Sequence, residues 1–383
     1  MKPLARAPSA MRHSGIREIV NLTVGVPGII HMEIGQPDFP TPEHIVAAAC
    51  AAMRDGFTRY TPSAGFPSLR ELVAQKLRRV NHFKVSLEQI NITPSGVNAV
   101  FTALAALVEP GDEVLIPDPA WPNYEMMMAC FNSVPVRYTL DPRSGFLPDL
   151  GQVEQLVSGR TKVLIINTPS NPTGAAFPAS LVRDLVRLAE EHDLWLLSDE
   201  AYDEFTYDRE HASAAAVNTE RVISTYTFSK TYAMTGFRIG YVAAPPEVSE
   251  LINKLMEPNV TCASSISQKA AEAALSGPQD CVRVMRDSYR ERRDVATGIL
   301  RTHGLFLYEP QGAFYILVDV SSTGMDSYAF ARALLQSEKV AVAPGGTFGP
   351  STDGHVRVSY CVEKGLLMEG LSRLCAFIAK NHS

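Results

Sequence analysis

Thr225-Tyr226-Thr227-Phe228-Ser229-Lys230-Thr231-Tyr232-Ala233-Met234-Thr235-Gly236-Phe237-Arg238-Ile239-Gly240 is the stretch around which the chain is organised. Val222-Ile223-Ser224 precedes it and reads as the start of a short buried strand. The stretch then runs through hydroxyl residues to a lone lysine and regains apolar character only at Ile239. Phe228, Tyr232 and Met234 frame that lysine. Taken alone, Lys230 has two readings. It is a surface lysine on a polar loop, the commoner fate of a lysine, or a reactive amine with Thr227 and Arg238 nearby to hold an anion.

The rest of the chain narrows the choice. Its 383 residues suggest roughly two or three domains. With 46% hydrophobic and 20% charged residues the composition is that of a globular protein and argues against disorder. The formal net charge is −6, without a long run of one sign, so nucleic acid is not an expected partner. Cys50, Cys130, Cys262, Cys281, Cys361 and Cys375 are widely separated and form no C-x-x-C pair. That spacing reads as reduced thiols in a cytoplasmic protein. No apolar run follows the basic N-terminal residues and none approaches the ~20 residues of a membrane span, so neither a signal peptide nor a membrane is expected.

From Ile90 onward, strand-like and helical patterns alternate. Short apolar runs lie at 113–116, 134–138, 163–166, 194–197, 222–226 and 239–243, with helical patterns at 96–108, 121–131 and 178–192. This alternation predicts an α/β fold with a mainly parallel sheet covered on both faces, and ligands at the strand ends. Upstream, a short strand is expected to end at Gly35, and Thr41 to cap a helix with Pro42 at its first position. Tyr60 sits in a loop before a helix running from Pro67 to about Asn81. After Pro245-Pro246 the pattern becomes a smaller α+β region, with strands near 313–319, 339–343 and 355–360. Its long helix from about Gln279 carries Arg283, Arg286, Arg290, Arg292 and Arg293 among Asp287, Glu291 and Asp294, which reads as a solvated, salt-bridged face.

Four features at strand ends converge on Lys230. Ser95-Gly96-Val97 opens a helix, where free backbone N–H groups and the helix dipole favour an anion. Asn171, in Asn167-Thr168-Pro169-Ser170-Asn171-Pro172-Thr173-Gly174, is held in a non-helical turn. There it either closes an Asx turn or presents its amide to a ligand. Asp199, in Ser198-Asp199-Glu200-Ala201-Tyr202, is an acid delivered to the end of an apolar strand, where burial calls for a cationic partner. A magnesium-binding role fails for want of a G-x-x-x-x-G-K-[ST] loop, and no metal is expected. Trp121, in Pro119-Ala120-Trp121-Pro122-Asn123-Tyr124, suits either the core or stacking on a flat ring. Together these favour pyridoxal phosphate: Lys230 forms its Schiff base, Thr227 and Arg238 hold its phosphate, Asp199 pairs with its pyridine nitrogen, and Tyr202 faces its phenolic oxygen.

With these strings in order, the chain resembles the class I/II aminotransferases, fold type I of the pyridoxal-phosphate enzymes, in their aspartate/aromatic aminotransferase-like branch. The resemblance spans about 14–377 and includes IGQPDFPTP, RYTPSAGFPSLRE, NTPSNPTG, SDEAYDEF, TFSKTYAMTGFRIGY, GAFY at 312–315 and HVRVSY around Arg357. It implies a large domain (46–285) with a seven-stranded sheet and a small domain built from both chain ends (1–45 and 286–383). It implies a homodimer with shared active sites and a ping-pong transfer of an amino group from an L-amino acid to a 2-oxo acid, through an aldimine of Lys230. Lys230 would be general base and acid. Ser95, Gly96, Val97, Thr227 and Arg238 would hold the phosphate, and Tyr60 would reach a phosphate in the other subunit. Asn171 and Tyr202 would meet the phenolic oxygen, with Trp121 on the ring. Gly35, Asn171 and Arg357 would bind the substrate α-carboxylate.

Two departures stand out. Thr227 stands where the family usually has Ser, keeping the hydroxyl. No second arginine for a dicarboxylic side chain lies in 257–262, while Arg17 binds an acid or faces solvent. A C–S β-lyase, or another eliminating or oxygen-using enzyme of the same fold, would keep every cofactor residue.

Overall fold

The computed structural model describes residues 14–382 together with Lys2, Leu4 and Met11. The apolar runs become strands β1 (Ile30–His31), β2 (Ile90–Thr93), β3 (Glu113–Asp118), β4 (Val134–Thr139), β5 (Thr161–Asn167) and β6 (Trp195–Asp199). They continue as β7 (Val222–Thr227), β8 (Gly240–Ala243), β9 (Tyr315–Asp319), β10 (Val340–Ala341), β11 (Ala343–Pro344) and β12 (His355–Ser359). Seven of them form one sheet in the order β2-β8-β7-β6-β5-β3-β4. All run parallel except β8, which is antiparallel to both β2 and β7.

Burial on both faces explains why these strands read as continuous apolar runs rather than alternating ones. In β5, Val163 and Ile165 enter one core with Ala99, Leu104, Tyr124 and Met128. Leu164 and Ile166 point the other way, into a larger core with Val182, Leu185 and Leu69. Each such side chain taken fully out of water contributes about 1.5–3 kcal/mol. The sheet is therefore fixed from both sides, and its strand ends make a rigid platform.

A second, smaller sheet, β11-β12-β9, is built from the C-terminal part of the chain. The N-terminal part meets the same C-terminal region in a separate two-stranded sheet, where β1 pairs in parallel with β10, Ile30 opposite Val340 and His31 opposite Ala341. The helix Gly15–Thr23 lies against the same region: a Cβ on Gly15 would meet Thr347 and Tyr328. An ion pair between Arg332 and Glu18 at 2.8 Å holds it there. The residue borders 45/46 and 285/286 both fall inside helices, Glu43–Arg54 and Asp280–Thr302.

Three local expectations are corrected. Regular pairing of β1 stops at His31 rather than Gly35. Beyond it the carbonyls of Glu33 and Gly35 accept hydrogen bonds from the Arg357 guanidinium and from Lys230. The helix Glu43–Arg54 is capped by Pro42 without a side-chain bond, while Thr41 donates its hydroxyl to the Ala233 carbonyl at 2.6 Å. The arginine-rich helix is salt-bridged but not wholly solvated. Arg293 is almost completely buried, bonding Asp208 at 2.6 Å and the Pro310 carbonyl at 2.9 Å, and Arg292 bonds Asp38 at 2.8 Å. These two arginines tie that helix to distant loops.

Candidate active site

The C-terminal ends of β5, β6 and β7 meet the start of the helix Gly96–Leu107 around a cavity of about 410 Å³. Gly35, Ser95, Gly96, Val97, Trp121 and Asn171 line it, as do Asp199, Tyr202, Thr227, Lys230, Arg238 and Arg357. Residues from seven separate strings of the sequence thus reach one place. Tyr60 is the exception: it is 86% exposed and lines a different, open recess with Arg59, Val260 and Cys262.

Lys230 follows β7 in a single helical turn, Phe228–Thr231. Its Nζ donates to the Gly35 carbonyl at 2.7 Å. Burial, with Arg357 and Arg238 nearby, lowers its pKa to about 8 against a smaller opposing effect of Cys361. An amine in that range holds a substantial neutral fraction near neutral pH, as a base or nucleophile requires.

Asp199 ends β6 and is 7% exposed. Burial raises its pKa to about 6. Its Oδ2 accepts from the Tyr124 hydroxyl at 2.6 Å and its Oδ1 from the Ala201 N–H at 3.2 Å. Both donors are neutral, and among the described residues no cation pairs with it. The cationic partner that burial called for is not supplied by these side chains.

Arg357, on β12, is 2% exposed and lies between the rings of Tyr315 and Phe348, 4.3 and 4.8 Å from their centroids. One terminal nitrogen donates to Asn171 Oδ1 at 2.8 Å and the other to the Glu33 carbonyl at 2.5 Å. Its Nε is buried without a partner. Because Asn171 uses its oxygen on Arg357, its amide N–H₂ stays available. Tyr202 shares a hydrogen bond of 2.8 Å with Tyr315.

At the opposite end of the cavity, Ser95 holds φ +128°, a strained conformation for a residue with a side chain. Ser95, Gly96 and Val97 line the cavity at the start of the helix Gly96–Leu107, and Ser95 Oγ accepts from Asn98 N at 3.2 Å. A Cβ on Gly96 would come within 3.0 Å of Thr227, so only glycine fits without a shift. Arg238 adopts a left-handed conformation, φ +53°, and among the described residues its guanidinium bonds the Thr235 carbonyl alone, at 2.9 Å. Trp121 stands edge-on to Tyr124, with ring centroids 5.4 Å apart.

Sequence reasoning missed three residues. Tyr124 lies in the Trp121 string, three positions on, and its apolar neighbours hid the hydroxyl's reach to Asp199. Tyr315 ends the GAFY string yet meets Tyr202 from 113 positions away. Thr225 lies opposite Asp199 in the β6–β7 register, lines the cavity, and has a buried Oγ1 without a partner.

Comparison with known proteins places nearly the whole chain in one family. The family model for aminotransferase class I and II matches residues 27–374. The aspartate/prephenate aminotransferase of Thermus thermophilus is 38% identical over 355 residues, which cover 92% of this chain and 91% of that one. The aspartate aminotransferase of Pyrococcus horikoshii is 36% identical over 368 residues, 95% and 94% of the two chains. A solved structure of the aspartate aminotransferase from Thermus thermophilus with maleate superposes with a TM-score of 0.94, at 37% identity, covering 98% of this chain and 100% of that chain.

Proposed function

The chain belongs to the class I and II aminotransferases, a pyridoxal-phosphate-dependent family, and on that premise we propose that Lys230, Asp199 and Arg357 are the working centre of its active site. It is an enzyme that moves an amino group from an L-amino acid to a 2-oxo acid in two half-reactions. The observation that carries the site assignment is the uncompensated polar floor. Among the described residues, the buried Asp199 lacks a cation, and the buried Arg357 Nε and Thr225 Oγ1 lack partners. Buried groups left open in this way cost stability unless a ligand completes them.

The residues fit pyridoxal phosphate. Lys230 would hold its aldehyde carbon and Asp199 its pyridine nitrogen. The amide of Asn171 and the hydroxyl of Tyr202 would hold its phenolic oxygen, and Trp121 would cover the ring. Ser95, Gly96, Val97, Thr227 and Arg238 would hold the phosphate. Bound there, the cofactor supplies an electron sink that makes the substrate Cα–H acidic.

The chain's own residues do the rest. Arg357, immobilised by Asn171, the Glu33 carbonyl and two aromatic rings, anchors the substrate α-carboxylate, with the Gly35 backbone beside it. That anchor orients Cα toward Lys230. Burial keeps the Lys230 amine weakly basic, so it takes the Cα proton and later returns it. The Tyr124 hydroxyl fixes the orientation of the Asp199 carboxylate, which would hold a protonated pyridine nitrogen. Tyr315 fixes Tyr202.

The same proposal extends to assembly and location. Tyr60, exposed and away from its own cavity, supports a homodimer in which it reaches the partner's phosphate site. Six free cysteines support a cytoplasmic setting, and among the described residues no helix is long and apolar enough to cross a membrane. A large domain at 46–285 and a small one at 1–45 and 286–383 is the division we propose, supported by the pairing of β1 with β10.

A panel of L-amino acids against pyruvate and 2-oxoglutarate, following new keto acid, tests the activity. Keto acid formed only when an acceptor is present is the expected result. Pyruvate and ammonia released without an acceptor, or oxygen consumed, would instead mark an eliminating or oxygen-using enzyme, a reading that the named relatives do not favour.

A further inference from the structure

Glu200 directly follows Asp199 at the end of β6, and its side chain is completely buried. Successive side chains of a strand point to opposite faces, so Asp199 enters the cavity while Glu200 enters the core behind the sheet. A buried carboxylate is costly unless its lone pairs are filled. Its Oε1 accepts from the hydroxyls of Ser198, Ser213 and Ser224 at 2.9, 2.9 and 3.2 Å. Its Oε2 meets the Tyr226 hydroxyl at 3.0 Å, His211 Nε2 at 2.7 Å and Asn81 Nδ2 at 3.4 Å.

The strand residues among these partners alternate with residues of the cavity. On β6, Ser198 and Glu200 flank Asp199; on β7, Ser224 and Tyr226 flank Thr225, and Thr227 comes next. The ladder pairs Ser198 with Ser224 and Asp199 with Thr225. From the far face, the Glu200 carboxylate therefore ties together the two strand ends whose near face carries Asp199, Thr225 and Thr227. The backbone agrees. The Glu200 N–H donates to the Thr225 carbonyl at 3.0 Å, and the Asp199 carbonyl accepts from Asn167 Nδ2 at 2.9 Å.

We propose that Glu200 is a positioning residue, which fixes the end of β6 against β7 so that Asp199 and Thr227 keep the spacing at which one ligand meets both. This rests on the pyridoxal-phosphate reading of the cavity, in which Asp199 would hold the ring nitrogen and Thr227 the phosphate. Glu200 itself touches neither cofactor nor substrate. Its negative charge also stands behind Asp199, where it adds to the burial that raises the pKa of that group.

The test is equilibrium binding of pyridoxal phosphate to the cofactor-free protein, read by visible absorbance and circular dichroism, alongside kcat and KM of the loaded enzyme. Glu200→Gln keeps the side chain's shape but turns one acceptor into a donor facing donors. It should raise the Kd for pyridoxal phosphate and lower kcat, each by about tenfold or more. KM for the amino donor should stay within about twofold, because the α-carboxylate anchor Arg357 stands on the other sheet. Tyr226→Phe removes a single donor and should show the same pattern at smaller size, in a chain that folds even where Glu200→Gln does not. Lys76→Met disturbs the adjoining Asp203 pair while leaving the hydroxyl donors of Glu200 in place, and should change neither value. Cofactor affinity and kcat within twofold of wild type in both Glu200→Gln and Tyr226→Phe, or equal losses in Lys76→Met, would overturn the proposal. If the wild type forms no visible absorbance that borohydride removes, the pyridoxal-phosphate reading itself fails. If it does and Glu200→Gln matches it, the positioning role alone falls.

Discussion

Two buried polar clusters lie within a few residues of each other and differ in one respect. Beneath the sheet, Lys76 pairs with Asp203 and donates to Asn81 Oδ1 at 2.8 Å. Glu200 is satisfied by Ser198 and Ser213 at 2.9 Å, Tyr226 at 3.0 Å and His211 at 2.7 Å. These groups find their partners inside the cluster, while the adjacent Glu204 keeps a buried Oε1 without one. Asp199, one residue before Glu200, faces the cavity with only neutral donors, beside Thr225 Oγ1 and Arg357 Nε without partners. The lesson is that burial of charge does not by itself mark a site. What marks this one is charge and donors left over together around a single cavity.

If that contrast is sound, the two clusters respond differently to substitution. The largest effect is expected from Lys230→Ala, which should cut transamination by roughly a thousandfold or more and abolish the visible absorbance that borohydride removes from the loaded enzyme. Residual absorbance of that kind in the variant would break the assignment. Next comes Lys76→Met, which leaves the buried Asp203 carboxylate without its cation, with the Asn81 hydrogen bond at 3.1 Å in place. It should cost about 3–5 kcal/mol in denaturant unfolding while the cofactor absorbance remains.

Asp199 gives the third effect, with a definite sign. Its folded pKa, about 6, is raised above its unfolded value, so between about pH 4 and 6 the cofactor-free folded protein binds the extra proton. Cofactor-free stability should therefore fall as pH rises through that window, by up to about 3 kcal/mol from this group, and Asp199→Asn should flatten the curve. Thr225→Val is the smallest. Removing an unsatisfied buried hydroxyl should leave the cofactor-free protein as stable or more stable by about 1 kcal/mol, readable as a change in the midpoint of thermal unfolding. A loss of stability there would mean that Thr225 already has a partner, and would blur the contrast.

Much of this was legible in the sequence because the chemistry sits where local patterns stop. Asp199, Asn171 and Lys230 each follow an apolar run, and a polar residue at such a point has few structural uses. The alternation of strands and helices foretold the layered fold, since the apolar runs report burial on both faces. They carry no sign of direction, which is why the reversal of β8 was not visible. The short helix Leu150–Gln155 was too brief for a period to show. Contacts such as Tyr202 with Tyr315, or Arg293 with Asp208, join distant positions through packing alone. Tyr124 was hidden for a related reason: its ring is ordinary core, and only its hydroxyl belongs to the site.

The pairing of β1 with β10 has a mechanical consequence. It roots the segment that follows, so the Glu33 and Gly35 carbonyls are presented from a strand pair that belongs to both ends of the chain. Arg357 and Lys230 follow from different sheets, yet both donate to this one short stretch of backbone. Two ladder positions at its root therefore help to set where both cations stand.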